Sequence, residues 1–98
     1  MPERRFPIAG EVDISNSSDL ERELLNLVNA TSDDLVIDCE GLEFIDSTAV
    51  GMLMHTKRLL DIQGRSLRVT NLTGMPRRSF QLVGLTEVFG LDRSESPS

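Results

Sequence analysis

The 98-residue sequence is poor in aromatic and in basic residues, and both shortages limit what it can bind. It contains no Trp, no Tyr and only four Phe, so it lacks the aromatic side chains on which proteins stack single-stranded bases. Ten Lys and Arg stand against sixteen Asp and Glu, which gives a formal charge of −6. Such a charge repels phosphate backbones and anionic lipids, and we expect no direct nucleic-acid partner.

The sequence also has one Cys, one His and no glycine-rich phosphate-binding loop, which leaves little for metal, cofactor or catalytic chemistry. Cys39 and His55 can supply only two of the four ligands of a structural zinc site. They could form a nucleophilic dyad only in an open cleft, whereas Cys39 follows an apolar run that predicts a buried strand. We expect no metal, no cofactor and no catalytic residue, and therefore no enzyme.

No segment has the character of a signal peptide or of a membrane span. The first ten residues contain an Arg pair but no apolar core of signal length. The longest uncharged run, between Phe44 and Lys57, is interrupted by Asp46 and is shorter than the ~20 apolar residues that cross a bilayer. We expect a cytoplasmic protein without membrane insertion, whose length fits one folded domain.

Turn-forming residues divide the sequence into alternating strands and helices. Short apolar runs predict strands at residues 6–9, 35–39 and 67–70. Ser18 and Glu21 have the spacing of a capping box and predict the start of a first helix. Asp46 predicts the N-cap of a second helix over residues 47–63. Pro76 suits the first turn of a third helix, which ends at Gly84.

These elements favour a single α/β domain over residues 1–91. The unalternated central run is typical of a parallel sheet, and residues 35–71 have the size of a right-handed strand, helix and strand crossover. We expect a mixed, mostly parallel sheet of about four strands with helices packed on it, a shortened or missing N-terminal strand, and a disordered tail over residues 92–98. Predicted shared helix faces contain Leu20, Leu24, Leu27 and Val28, then Leu53 and Leu60, and then Met75, Ser79, Leu82 and Val83.

Four carboxylates follow the central strand, at Asp38, Glu40, Glu43 and Asp46. In a loop at the carboxyl end of that strand they would occupy the position where open α/β sheets bind ligands. A solvated acidic loop accounts for the same residues, and the sequence leaves both interpretations open.

Asp46, Ser47 and Thr48 begin the second predicted helix. Free backbone N–H groups and the helix dipole stabilise an anion there by roughly 0.3–1 kcal/mol. A phosphate on Ser47 would meet this field and would add ~1.5–2 negative charges beside Asp46. The residues are therefore consistent with a simple helix cap or with a phosphorylation switch that controls a docked partner.

Residues 44–51, FIDSTAVG, resemble the F-[IM]-D-S-[ST]-G-L-G signature of bacterial anti-sigma factor antagonists, which are members of the STAS domain family. GEVD at residues 10–13 is similar to the family's G-E-[LIV]-D, and residues 82–89 are similar to its closing [LM]-x-G-L-x-x-[LIV]-F. The resemblance covers residues 6–91 and implies a STAS-type fold. Ala49 and Val50 stand where the family has Gly and Leu, and the methyl group of Ala49 is expected to narrow access to Ser47.

What the resemblance implies is a binding module without catalysis of its own. An unphosphorylated antagonist of this family captures an anti-sigma factor of the serine kinase type and frees a sigma factor, its phosphorylated form is released, and a phosphatase resets it. The phosphorylated residue corresponds to Ser47, with Thr48 as the backup. The surface expected to face the partner contains Asp46, Ser47, Thr48, Gly51, Met52 and His55.

Two further expectations concern assembly and role. Family members have two strands before the first helix, and the sequence before this helix is short, so an uncovered sheet edge is expected to favour a homodimer. The alternative function is a constitutive STAS interaction subunit of a transporter ATPase or of a stress-signalling complex, without phosphoswitching.

Overall fold

The structure, a computed structural model, describes residues 2–82 and residue 89. In chain order its elements are β1 (Glu3–Val12), α1 (Ser17–Ala30), β2 (Asp34–Ile45), α2 (Ser47–Ile62), β3 (Leu67–Thr70) and α3 (Gly74–Leu82). β2 lies between β1 and β3 and pairs with both in parallel. The predicted α/β class is confirmed, with three parallel strands in this part of the chain. The predicted tail at 92–98 and the predicted end of the third helix at Gly84 lie outside the described residues.

One face of the sheet carries the hydrophobic core. Leu35 and Ile37 of β2 are fully buried and share one apolar cluster with residues of all three helices. As predicted, the residues of the first two helices that pack in or against this cluster include Leu20, Leu24, Leu27 and Val28 of α1 and Leu53 and Leu60 of α2. Packing of the helices on this face leaves charged side chains on the opposite face of the sheet.

Asp38 joins all three strands on that opposite face. It is only 3% exposed, and its carboxylate accepts hydrogen bonds from Arg5 of β1 and, at 2.9 Å, from the side chain of Asn71, which follows β3. The N–H of Glu40 donates to the same carboxylate at 3.1 Å. These bonds, with that from Asn71 the strongest influence, lower the pKa of Asp38 to about 2.

The lowered pKa of Asp38 makes the stability of the fold depend on pH in the acid range. Because the folded state favours the carboxylate, its contribution is complete above the ordinary pKa of 3.8 and is lost as the pH falls towards about 2. Between these values we expect the free energy of unfolding to fall more steeply in the unaltered chain than in Asp38→Asn. Urea unfolding at a series of pH values measures both slopes, and equal slopes would contradict the prediction.

The predicted capping box at Ser18 and Glu21 is wrong. α1 begins at Ser17 with Asn16 as its N-cap residue, and the side chain of Asn16 makes no cap hydrogen bond. That side chain instead accepts from the N–H of Asp13 at 2.9 Å and donates to the carbonyl of Glu11 at 2.8 Å. The polar residues before α1 therefore stabilise the turn at residues 13–16, and the N-cap lies two residues earlier than predicted.

β1 starts before its predicted first residue because its charged end is paired. The side chain of Arg4 lies 3.5 Å from the carboxylate of Asp33, and Arg68 of β3 lies 2.8 Å from the carboxylate of Glu3. These ion pairs attach a segment without apolar side chains to its neighbours. An apolar run alone therefore underestimates the length of this strand.

The predicted acidic loop after the central strand is also wrong. β2 continues to Ile45, with register shifts against β1 between Pro7 and Ala9 and between Gly10 and Glu11. Glu40 and Glu43 consequently lie within the strand and are exposed, while Asp38 is buried. Only Asp46 lies at the junction with the following helix.

The predicted face of α3 is wrong as well. Pro76 and Phe80 are buried, whereas Met75 and Leu82 are exposed. The ring of Phe80 packs edge-on against that of Phe89, with 5.4 Å between the centroids. This large aromatic side chain determines which side of the short helix faces the core. Val83, also predicted on that face, lies outside the described residues.

Candidate functional site

Asp46 is the residue at which β1, β2 and α2 meet. It directly follows β2, and its N–H donates to the carbonyl of Val12 at 3.1 Å. One carboxylate oxygen accepts from the N–H of Ala49 at 2.9 Å, which confirms the predicted N-cap of α2. The other accepts from the N–H of Ile14 at 3.1 Å. Asp46 therefore also attaches the turn after β1 to the start of α2, a role that the sequence did not predict.

Ser47 is the first residue of α2 and is exposed to solvent. Within the described part of the chain its hydroxyl makes no hydrogen bond, and the same is true of the neighbouring exposed Thr48. Ala49, in contrast, is fully buried. Its methyl group packs in the core, so the expectation that it narrows access to Ser47 is wrong.

α2 presents a continuous exposed stripe that starts at Ser47. Residues spaced by three or four positions share one side of a helix, and the exposed residues with this spacing are Ser47, Gly51, His55, Arg58 and Ile62. A Cβ atom at Gly51 would meet nothing within 4 Å. The ring Nδ1 of His55 lies 3.2 Å from a carboxylate oxygen of Glu21, which connects the stripe to α1.

Met52 does not belong to the exposed surface formed by Ser47, Thr48, Gly51 and His55 in the first half of α2. It is 8% exposed and lies in the hydrophobic cluster, because a position five residues after Ser47 lies on another side of the helix. Its predicted place among the partner-facing residues is therefore wrong. Ser47, Thr48, Gly51 and His55 are exposed and Asp46 is half-buried, and their role in binding stays a prediction.

The described residues contain no arrangement suited to metal or thiol chemistry. In residues 2–82 and 89, no three His, Cys, Asp or Glu side chains are placed to hold a metal ion. Cys39 is buried, and burial raises the pKa of its thiol to about 12, which keeps it protonated. In the same residues no helix is both long and apolar enough to span a membrane.

Gly51 lies in open space, so the effect of a methyl group there on stability can be measured without disturbing a neighbouring residue. We expect Gly51→Ala to raise the free energy of unfolding by about 0.5–1 kcal/mol, because Ala is the better helix former and its methyl group meets no neighbour. Gly64→Ala is the matched control. It also adds a methyl group in open space, but at a φ of +74°, and should destabilise by roughly 1 kcal/mol. Urea unfolding measures both, and a destabilised Gly51→Ala would contradict the prediction.

Comparisons with known proteins relate this chain to a family. The family model for the STAS domain matches residues 4–96. The anti-sigma-B factor antagonist of Bacillus subtilis (strain 168) is 31% identical over 84 residues, which cover 86% of this chain and 76% of that protein. Among solved structures, the anti-sigma factor antagonist SpoIIAA in its unphosphorylated form matches with a TM-score of 0.74 at 21% identity, over 98% of this chain and 90% of that chain. The murine anion transporter Slc26a9 in the inward-facing state matches with a TM-score of 0.77 at 15% identity, over 94% of this chain and 15% of that chain. The two structural likenesses show a shared fold.

Proposed function

Because the chain belongs to the STAS domain family, we propose that it is an anti-sigma factor antagonist whose binding is switched off by phosphorylation of Ser47. In this proposal the unphosphorylated chain binds an anti-sigma factor of the serine kinase type and so releases a sigma factor. The observation that carries the proposal is the exposed, unbonded Ser47 hydroxyl at the first turn of α2, beside the capping carboxylate of Asp46. The chain regulates and has no catalytic role of its own.

The surface around Ser47 supports close approach by a kinase. Ser47 has a short side chain and Gly51, one turn later, has none, so a partner can come near the backbone of α2. In the transfer step the Ser47 oxygen would bond to the γ-phosphorus of ATP on the kinase, the bond to the β–γ bridging oxygen would break, and ADP would leave. The hydroxyl proton would pass to a base on the kinase.

The product of this transfer would no longer fit the interface. A phosphate on Ser47 carries ~1.5–2 negative charges and stands beside Asp46. In the complex it would also face the negatively charged phosphates of the ADP still bound to the kinase. The N-terminus of α2 stabilises the added charge by roughly 0.3–1 kcal/mol in the free chain, so the domain stays folded. Repulsion and loss of hydration act only in the complex and release the chain.

We propose that a phosphatase returns the chain to its binding form. Ser47 is exposed at the start of α2, so a phosphate on it would be accessible to the active site of a phosphatase. Thr48 is exposed in the same turn and remains the backup acceptor.

Intact-mass measurement after incubation with ATP and the cognate anti-sigma factor kinase tests the assignment of Ser47. We expect one phosphoryl addition in the unaltered chain and in Thr48→Ala, and none in Ser47→Ala. An addition that persists in Ser47→Ala would contradict the assignment. No addition in any chain, together with binding that Ser47→Asp leaves unchanged, would favour the constitutive subunit without phosphoswitching.

The predicted homodimer depends on the outer edge of β1. Among the described residues, β1 pairs only with β2. Pro7 has no backbone N–H that could donate to an added strand. The two register shifts, beside Pro7 and beside Gly10, interrupt the regular pairing of β1 with β2. Such features discourage strand addition at a sheet edge. We therefore expect any dimer to be weak, so sedimentation velocity should show a monomer at micromolar concentrations; a stable dimer would instead support pairing through this edge.

A further inference from the structure

Ile14 is a prominently exposed apolar side chain in an otherwise polar turn. It is 74% exposed and lies in the turn at residues 13–16 between β1 and α1. Isolated exposed apolar residues are common on protein surfaces, so exposure alone assigns no role. The backbone that carries Ile14 is, however, held to the start of α2, because its N–H donates to the carboxylate of Asp46.

Side-chain hydrogen bonds close the rest of this turn. The N–H of Ser15 donates to the carboxylate of Asp13 at 2.9 Å, and the N–H of Asp13 donates to the side-chain oxygen of Asn16 at 2.9 Å. A backbone held in this way loses little conformational freedom when its apolar side chain enters a partner. The turn therefore presents Ile14 in a conformation that is already ordered.

The same carboxylate connects this turn to the proposed switch. One oxygen of Asp46 binds the N–H of Ile14 and the other binds the N–H of Ala49, with Ser47 next in the chain. The turn and the first turn of α2 are thus parts of one surface. A partner that reaches the Ser47 hydroxyl must also come close to the turn that carries Ile14.

The segments that build this surface carry an excess of negative charge, although Arg22 lies 3.5 Å from the carboxylate of Asp19. Residues 6–21 contain four Asp or Glu and residues 40–56 contain three, and neither segment contains a Lys or Arg. A cleft of about 250 Å³ between β1 and α1 is lined by the acidic residues Glu11, Asp19 and Glu23, and also by Val12 of β1 and Asn16 of the adjoining turn. A partner complementary to this surface therefore carries positive charge around the position that receives Ile14.

We propose that Ile14 is an apolar anchor for the anti-sigma factor, which receives it in an apolar recess edged by Lys or Arg side chains. The inference rests on the proposed function and adds the chemistry of the partner's surface to it. Asp46 is then a positioning residue, since it holds the anchor and the first turn of α2 together through backbone hydrogen bonds. A few well-buried apolar contacts near the centre of an interface commonly carry most of the binding energy.

Calorimetric titration of the purified anti-sigma factor kinase with Ile14→Ser tests the proposal. Ile62→Ser is the matched control, because Ile62 is 82% exposed and lies at the opposite end of α2. We expect Ile14→Ser to weaken binding by about 10-fold or more, as for loss of a buried apolar side chain, and Ile62→Ser to change it by less than about 2-fold. Ile14→Leu should restore most of the affinity, and added salt should weaken binding of the unaltered chain.

The results separate this inference from the proposed function. Equal affinities of Ile14→Ser and Ile62→Ser, with the unaltered chain binding normally, would overturn the anchor while leaving the proposed function in place. Binding that is insensitive to salt would overturn the basic rim. No binding by the unaltered chain, with no phosphoryl addition at Ser47, would overturn the proposed function and the anchor with it. Circular dichroism confirms that each variant is folded, and the exposed side chain of Ile14 makes loss of folding an unexpected result.

Discussion

The chain phosphorylated on Ser47 should bind the anti-sigma factor kinase at least about 100-fold more weakly than the unphosphorylated chain, since like charges brought together at an interface cost several kcal/mol. Ser47→Asp should weaken binding by only about 10-fold, because one carboxylate has less charge and fewer acceptor oxygens than a phosphate. Titration calorimetry in the presence of ADP measures all three affinities.

A matched variant separates the position of the charge from its amount. Ser32→Asp adds the same charge at an exposed residue before β2, at the other end of the strands from Ser47. We expect it to bind like the unaltered chain. If Ser32→Asp and Ser47→Asp weaken binding equally, the effect comes from the net charge of the molecule and the local switch is wrong.

The sequence predicted the parts of the fold that depend on short-range patterns. The apolar spacing of α1, the capping carboxylate of Asp46 and the buried run of β2 each involve residues that are close together in the sequence. All three are confirmed. The prediction was weakest before α1. There the capping-box spacing of Ser18 and Glu21 competed with the turn-forming residues at 13–16, and the turn determined where the helix begins.

Contacts between distant residues could not be predicted in this way. The bond from Ile14 to Asp46 spans 32 positions and that from Arg5 to Asp38 spans 33, and no periodicity in the sequence indicates which partners will meet. Asp38 looked like one of four similar acids, yet only the fold buries it between two side-chain donors. The value of Ile14 as a surface residue likewise depends on the fold, because Asp46 holds the turn that carries it.

Arg65 makes a second set of long-range contacts, which join three elements of the fold. It precedes β3, and its guanidinium donates to the carbonyl of Asp33 at 2.6 and 3.0 Å and to the carbonyl of Val28 at 3.1 Å. Val28 lies in the last turn of α1, where carbonyls have no partner within the helix and no basic residue is present in that turn. One side chain therefore connects the end of α1 to the entrances of β2 and β3.

We expect Arg65→Met to lower the free energy of unfolding by about 2–4 kcal/mol, because it removes several bonds from a charged donor and leaves partly buried carbonyls without it. Arg65→Lys should lose less stability than Arg65→Met, because it keeps the positive charge. It should still be less stable than the unaltered chain, because it lacks the planar guanidinium that reaches both carbonyls. Arg58→Met, an exposed position on α2, is the control and should change stability by less than about 0.5 kcal/mol. Urea unfolding measures all three.

The same variants distinguish a structural role of Arg65 from a role in binding. Arg65 follows the C-terminal end of α2, and Ser47 begins that helix, which at 1.5 Å per residue separates them by roughly 24 Å. Arg65→Met should therefore keep the affinity of the unaltered chain for the anti-sigma factor kinase under conditions where it is fully folded. Weaker binding by the folded variant would assign Arg65 a role in binding. A stability equal to that of Arg58→Met would show that the guanidinium does not stabilise the connection between α1, β2 and β3.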